Sequence, residues 1–294
     1  MKNDKNLNIL LYAAVGDAWG ACFEYAPKTI IEQKNGTWEY FSHHKHDIGN
    51  GRYTDDLQMH LAVAEALVSD KSLTADRFTE LFVHAFKRDP REGYAGRFYE
   101  FLQAVENAED FTSRIINNSE KSGGAMRAPC IGILSDHEDV MRISGTQAGV
   151  THNTVAGIAA AQAASLMLHF LLYDKADRSQ LPEMLNSHIP VVNWSDYPEK
   201  KIGHLGIDSV KAALRAIVTE NSLTDILTAI IRCGGDTDTA ATIAMAVGSC
   251  AKDIDQTIPD TLLDDMEDGA YGRTYIMEMD RKLTEFARKQ GAPV

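Results

Sequence analysis

Two clusters of carboxylates, far apart in the sequence, each open directly into an apolar run, and this restricts the possible folds more than any other feature. The first is Thr54-Asp55-Asp56, at the head of TDDLQMHLAVAEAL; the second is Asp236-Thr237-Asp238-Thr239, inside GGDTDTAATIAMAVG. Both continue into stretches rich in alanine and methionine that read as buried helices. Either cluster alone is compatible with simple helix capping, because Asp and Thr are favoured N-cap residues. Capping needs one side chain, however, and each cluster supplies three or more. An unpaired buried carboxylate is costly, and two such clusters compensate each other only through shared cations. The pattern points to a metal site.

The spacing of Asp236 and Asp238 sharpens this. Successive helical residues turn by about 100°, so positions i and i+2 point roughly 200° apart and cannot serve one site from a regular helix. They converge only where the backbone is not yet helical, and Gly234 and Gly235 supply the freedom for such a turn. The helix is therefore expected to begin near Thr239, its hydroxyl serving as ligand and cap. Hard oxygen ligands without nearby cysteine or paired histidine favour Mg²⁺ or Mn²⁺ over Zn²⁺.

Helical patterns dominate the rest of the chain. They are expected over residues 7–25, 55–69, 74–88, 136–150, 154–173, 208–218, 223–233, 239–250 and 273–288. Pro90 ends the third of these, and Ser222, with Asp225 three residues on, is a cap for the seventh. Only residues 37–41 (TWEYF) and 189–194 suggest short extended pieces. Residues 34–53 and 112–128 read as long polar, glycine-containing loops, a length that is usually functional. With no repeat or linker in view, the expectation is one all-α domain over residues 1–294.

The 294 residues carry a formal net charge of −13, which argues against nucleic acid as a main partner, since phosphate neutralisation needs clustered Lys and Arg. Four scattered cysteines form no CxxC pair and suit a reduced compartment. No targeting pattern is evident at the start. The long apolar run from Val155 to Tyr173 contains Gln162, Ser165 and His169 and reads as a core helix, not a membrane span. A cytoplasmic, monomeric enzyme is expected.

A third element is GDAWGACFEY, residues 16–25. Gly16 and Gly20 lie one helical turn apart and would admit a close neighbour, while Asp17 in this apolar setting needs a partner such as a backbone amide or an arginine. GDAWGACFE, YTDDLQM (Tyr53–Met59), SGGAMRAPCIG (Ser122–Gly132), Thr151-His152 and GGDTDTAA (Gly234–Ala241) together resemble the ADP-ribosylglycohydrolase family, in the family's order and across nearly the whole chain. The two aspartate motifs in combination are highly specific; the others are individually modest.

The resemblance implies a compact orthogonal helical bundle with a central binuclear metal site of two divalent cations, Mg²⁺ or Mn²⁺. It makes Thr54, Asp55, Asp56, Asp236, Asp238 and Thr239 the ligands. Glu24 falls at the position of a family glutamate that reaches the substrate ribose, and Glu24 or Asp55 would act as acid or base. Gly123, Gly124, Ala125 and Met126 would cradle a diphosphate, His152 would line the site, and Glu92 in DPREGYAG would contact the leaving group. Two departures stand out: Leu57 where threonine is frequent, which should alter packing, and Ser122 where asparagine is common, which bears on the diphosphate contacts. The implied activity is removal of ADP-ribose from a modified protein, with arginine the expected linkage. Other ADP-ribose linkages (serine, O-acetyl-ADP-ribose, a nucleic-acid base), a two-metal phosphoesterase, and a non-catalytic ADP-ribose-binding or immunity protein remain alternatives.

Overall fold

The protein, seen here as a computed structural model that describes residues 6–294, is built from helices. In chain order these are α1 (Ile9–Ala21), α2 (Lys28–Lys34), α3 (Asp55–Leu67), α4 (Ala75–Arg88), α5 (Gly96–Ala104), α6 (Ala108–Arg114) and the single turn α7 (Gly123–Met126). After a 3₁₀ segment at Pro129–Ile133 come α8 (His137–Gly149), α9 (Val155–Leu172), α10 (Leu181–His188) and α11 (Gly206–Thr219). The series closes with α12 (Leu223–Cys233), α13 (Thr237–Gly248), α14 (Asp260–Asp264) and α15 (Arg273–Lys289). Among the described residues β-pairing is confined to four isolated bridges, so the all-α expectation holds. Residues 1–5 of the expected domain lie outside the described residues.

Four of the longer helices, α4, α8, α9 and α12, begin where a short polar side chain satisfies an otherwise orphaned amide. Thr74, Asp136, Thr154 and Ser222 accept from the amides of Arg77, Glu138, Gly157 and Asp225. Ser222 Oγ also donates to the Asp225 carboxylate at 2.6 Å, so the expected Ser222 cap is present, with Asp225 bonded to its hydroxyl and not to its amide. The apolar faces join one connected core. At its centre α9 is enclosed by α7, α8, α11 and the 3₁₀ segment. This helix is long and apolar enough to cross a membrane, yet 78% of it is buried inside the molecule, as a core helix requires.

The most extensive helix pairing is between α1 and α13, and glycine makes it possible. A Cβ at Gly16 would lie 2.5 Å from the Ala241 carbonyl oxygen, and one at Gly20 2.5 Å from Asp238 Cα. The expected close neighbour of GDAWG is thus the helix carrying the second aspartate cluster.

Three expectations need correction. Residues 37–41 are not extended: Trp38 takes a positive φ of 58°, and Trp38, Tyr40 and Phe41 fold over Trp19 of α1 with ring centroids 5.6–6.4 Å away. Residues 189–194 form turns, with the buried Trp194 indole donating to the Ile189 carbonyl at 3.1 Å. Aromatic burial, not strand pairing, organises both. Helix α13 begins at Thr237, two residues before the expected start.

The start of α1 is held from the far end of the chain. Its own N-cap, Asn8, makes no side-chain cap. Instead Asp280 of α15 accepts the amides of Leu10 and Leu11, both at 2.9 Å, and Thr284 Oγ1 accepts that of Leu7 at 3.0 Å. Removing a buried acceptor leaves its donors unsatisfied. Asp280→Ala is therefore expected to lower the unfolding free energy by roughly 2–3 kcal/mol in urea denaturation, and Asp280→Asn, which keeps one acceptor, by less. Equal stability of all three proteins would contradict this account of the α1 terminus.

Candidate active site and metal centre

The first cluster is fixed by α1. Asp17 is fully buried; its Oδ2 accepts the amides of Thr54 and Leu57 and its Oδ1 accepts the Thr54 hydroxyl, all at 2.9 Å. The partners sought for Asp17 are thus backbone amides at the start of α3, where a carboxylate also complements the helix dipole. Thr54 caps the same helix, accepting from the Asp56 amide at 3.3 Å. The Asp55 amide is taken by the Glu92 carbonyl at 3.0 Å.

The second cluster is set by Gly234 and Gly235, at φ 65° and 93°, conformations that suit glycine. They turn the chain against Ile202, whose carbonyl accepts the Asp236 amide at 3.3 Å. Asp236 precedes the helix and Asp238 lies within its first turn, so the angular conflict is resolved by one non-helical residue instead of three. Thr237 donates to the Gly20 carbonyl at 2.9 Å, fastening this turn to α1. Thr239 then meets the first cluster, its hydroxyl 3.1 and 3.2 Å from the two Asp56 oxygens and 3.4 Å from Ser122 Oγ. Ser209 donates to Asp236 Oδ2 at 3.1 Å.

These residues wall a cavity of about 690 Å³. Glu24, Asp55, Asp56, Asp236, Asp238 and Thr239 line one side, while Gly123, Met126 and His152 line another. Thr54 is buried and is not among the lining residues. Gly124 and Ala125 are likewise buried and outside the lining. The amides of Ala125 and Met126 are already bonded to the Ser122 carbonyl at 2.8 and 3.1 Å, which leaves those of Gly123 and Gly124 to open the turn. Glycine leaves room for His152 there, since a Cβ at either position would press on this side chain at 3.1–3.2 Å. Glu92 differs from expectation. Its side chain is exposed and outside the lining, and its contribution is the carbonyl that holds Asp55. The next residue, Gly93 at φ 106°, swings Tyr94 into the wall in its place.

The sequence pattern of the ADP-ribosylglycohydrolase family matches residues 2–293. The chain belongs to that family. Among relatives, the ADP-ribosyl-[dinitrogen reductase] glycohydrolase of Rhodospirillum rubrum is 24% identical over 86% of this chain and 87% of its own length. The ADP-ribosylarginine hydrolase Tri1 of Pseudomonas putida is 22% identical over 82% and 68%, and the human ADP-ribosylhydrolase ARH3 is 23% identical over 69% and 72%. The fold matches a solved ADP-ribosylglycohydrolase-related protein complex with a TM-score of 0.74 at 20% identity, covering 99% of this chain and 100% of that one.

For an ADP-ribosylglycohydrolase the acidic wall has the character of a cation site. One oxygen each of Glu24, Asp236 and Asp238 lies within 4.8 Å of the others. Asp238 Oδ1 is buried without a hydrogen-bond partner. Such an orphan acceptor among like charges fits a missing positive charge. Thr54 keeps a free lone pair after donating to Asp17 and accepting from Asp56. Burial and mutual repulsion raise Asp55, Asp56 and Asp238 well above the usual carboxylate range. Burial, reinforced by Asp236 and Asp17, lifts Glu24 to about 7, and burial holds Asp17 at about 6 despite its amide bonds. His152 moves the other way, to about 3, through burial and the nearby Arg127 charge. Sequence reasoning did not single out Ser209, Arg127, Tyr94 or Gly93; only the SGGAMR and DPREGYAG strings marked the neighbourhood of the last three.

The raised carboxylates fix the sign of a pH effect. A group that binds its proton more tightly folded than unfolded removes stability as pH rises from its unfolded to its folded pKa. For Glu24 and Asp17 that interval runs from about 4 to about 7, and the penalty is fully present above it. Cations that bind the ionised cluster stabilise the native state by linkage. Adding Mg²⁺ or Mn²⁺ should therefore raise Tm more at pH 8 than at pH 5.5 in differential scanning fluorimetry, and a shift independent of pH would contradict this electrostatic picture.

Proposed function

We propose that the protein is a metal-dependent hydrolase that releases ADP-ribose from N-linked ADP-ribosyl-arginine on a protein. One observation carries this reading: the two carboxylate-bearing helix starts converge on the wall of a cavity whose volume, about 690 Å³, is that of a ligand site. The names of the Rhodospirillum rubrum and Pseudomonas putida relatives support ADP-ribosylated protein, and arginine in particular, as the substrate.

Thr54, Asp55, Asp56, Asp236, Asp238 and Thr239 would hold two divalent cations, and their hard oxygen donors suit Mg²⁺ or Mn²⁺. When bound, such cations polarise oxygen ligands and offset the charge of the cluster. The residues of the chain supply the rest. The glycine turn at Gly123 and Gly124 and the His152 ring hold the diphosphate and ribose side of the substrate. Glu24 and Asp55 face the same space and exchange protons with the attacking water and the leaving nitrogen. Water adds to the anomeric carbon, the carbon–nitrogen bond breaks through an oxocarbenium-like state, and the guanidine departs with a proton. Glu24, raised to about 7 first by burial and then by Asp236 and Asp17, exchanges a proton readily near neutral pH in the cation-free protein.

The protein should convert ADP-ribosylated arginine to arginine and ADP-ribose, lose that activity in EDTA and regain it with Mg²⁺ or Mn²⁺; Asp55→Ala should abolish it. Turnover of only a serine or O-acetyl linkage would move the reading to another bond, turnover that survives chelation would exclude the metal role, and binding of ADP-ribose without turnover of any linkage would favour the non-catalytic alternative.

Gly93 gives a second test. A Cβ there would lie 2.1 Å from Asp55 Oδ1. Gly93→Ala should displace this carboxylate and lower kcat by about 100-fold, the scale of a misplacement near 1 Å, with circular dichroism unchanged. An active Gly93→Ala enzyme would remove Asp55 from the proton-transfer pair.

A further inference from the structure

Arg127, inside the SGGAMRAPCIG string, is only 1% exposed, and its hydrogen bonds go to Gln147 and Thr151 instead of to a carboxylate. Nε donates to Gln147 Oε1 at 2.7 Å, one Nη2 proton goes to the Gln147 carbonyl at 3.2 Å, and another goes to Thr151 Oγ1 at 2.8 Å. The guanidinium lies over the Phe82 ring, 4.1 Å from its centroid. Gln147 in turn donates through Nε2 to the Gly124 carbonyl at 2.8 Å. One buried cation therefore sets the glycine turn on one side and Thr151 on the other.

The direction of these bonds has a chemical consequence. A guanidinium is donor-only, so Thr151 Oγ1 accepts from Arg127 and keeps its single proton for its other neighbour. That neighbour is His152 Nδ1, at 2.7 Å. An Nδ1 that accepts leaves the ring proton on Nε2. We propose that Arg127 and Thr151 are positioning residues that hold His152 as its Nε2–H tautomer, so that the ring meets the cavity as a hydrogen-bond donor to an oxygen of the bound ligand. The identity of that ligand as ADP-ribose rests on the function proposed above; the tautomer does not. In this state His152 offers no lone pair at Nε2 and serves neither as a general base nor as a metal ligand through that atom. The ring's depressed basicity, from burial and the Arg127 charge, agrees with a neutral imidazole.

The test is the tautomer itself, read in long-range ¹H–¹⁵N correlation spectra of ¹⁵N-histidine-labelled protein, with the His152 signals assigned by their loss in His152→Gln. Wild type and Thr151→Ser should show Nε2–H alone. Thr151→Val, which keeps the shape and deletes the hydroxyl, should show a mixture with Nδ1–H and bind ADP-ribose about tenfold more weakly in calorimetry, the scale of one hydrogen bond, while Thr151→Ser binds like wild type. An Nδ1–H ring in wild type, or an unchanged tautomer in Thr151→Val, overturns the proposal. If Thr151→Val does not fold, the wild-type spectrum alone decides. A wild-type protein that shows the Nε2–H ring yet does not bind ADP-ribose would leave the relay standing and remove the proposed function.

Discussion

The architecture depends on how closely α1 can lie against α13. With Gly16 and Gly20 on the contact face, backbone meets backbone, and any side chain there would hold the two helices apart. The same helix presents Asp17 to the start of α3 and the Gly20 carbonyl to Thr237. One helix thus sets the positions of both carboxylate clusters. Their meeting, marked by Thr239 bonded across to Asp56, follows from that shared support and not from attraction between them.

Attraction could not do it, because the clusters repel. Burial, and after it the neighbouring carboxylates, raises the proton affinity of Asp55, Asp56 and Asp238. A structure that concentrates like charge in a low-dielectric wall accepts a loss of stability at the place where it gains a binding site. The compensating order lies in apolar contacts around the clusters, the small residues of α13 and the aromatic cover over Trp19, and in the Asp280 hydrogen bonds that secure the other end of α1. Ser209 and Ser122 touch the acidic wall from α11 and the glycine turn.

Much of this was legible in the sequence, and the reasons are specific. Long helices with caps were read to within a few residues because periodicity needs length, and Leu223–Cys233 matched at both ends. The short helices α2, α5, α6, α10 and α14 were not read, since five to nine residues span too few turns to show a period. Asp17 announced its need for a partner, and the carboxylate pairs announced their need for one another, because burial of charge is visible from flanking composition alone. Glu92 misled because only the positive φ of Gly93 decides which side chain of that segment faces inward. Arg127 was hidden for a related reason: its partners Gln147 and Thr151 lie on a different part of the chain, and no spacing rule links them.

The division of labour between the inner wall and the rim follows from the same physics. The acidic wall is built on helix starts tied to one another through backbone atoms, where a shift in one residue displaces several. The outer lining includes Tyr25, Ile116, Arg97 and His204, which are exposed side chains at element ends and in loops. Those positions accept substitution without disturbing the core. Relatives only 22–24% identical to this chain still align over 69–86% of it. An inner wall tied together through backbone atoms and a rim carried on element ends let the rim change while the acidic wall keeps its geometry.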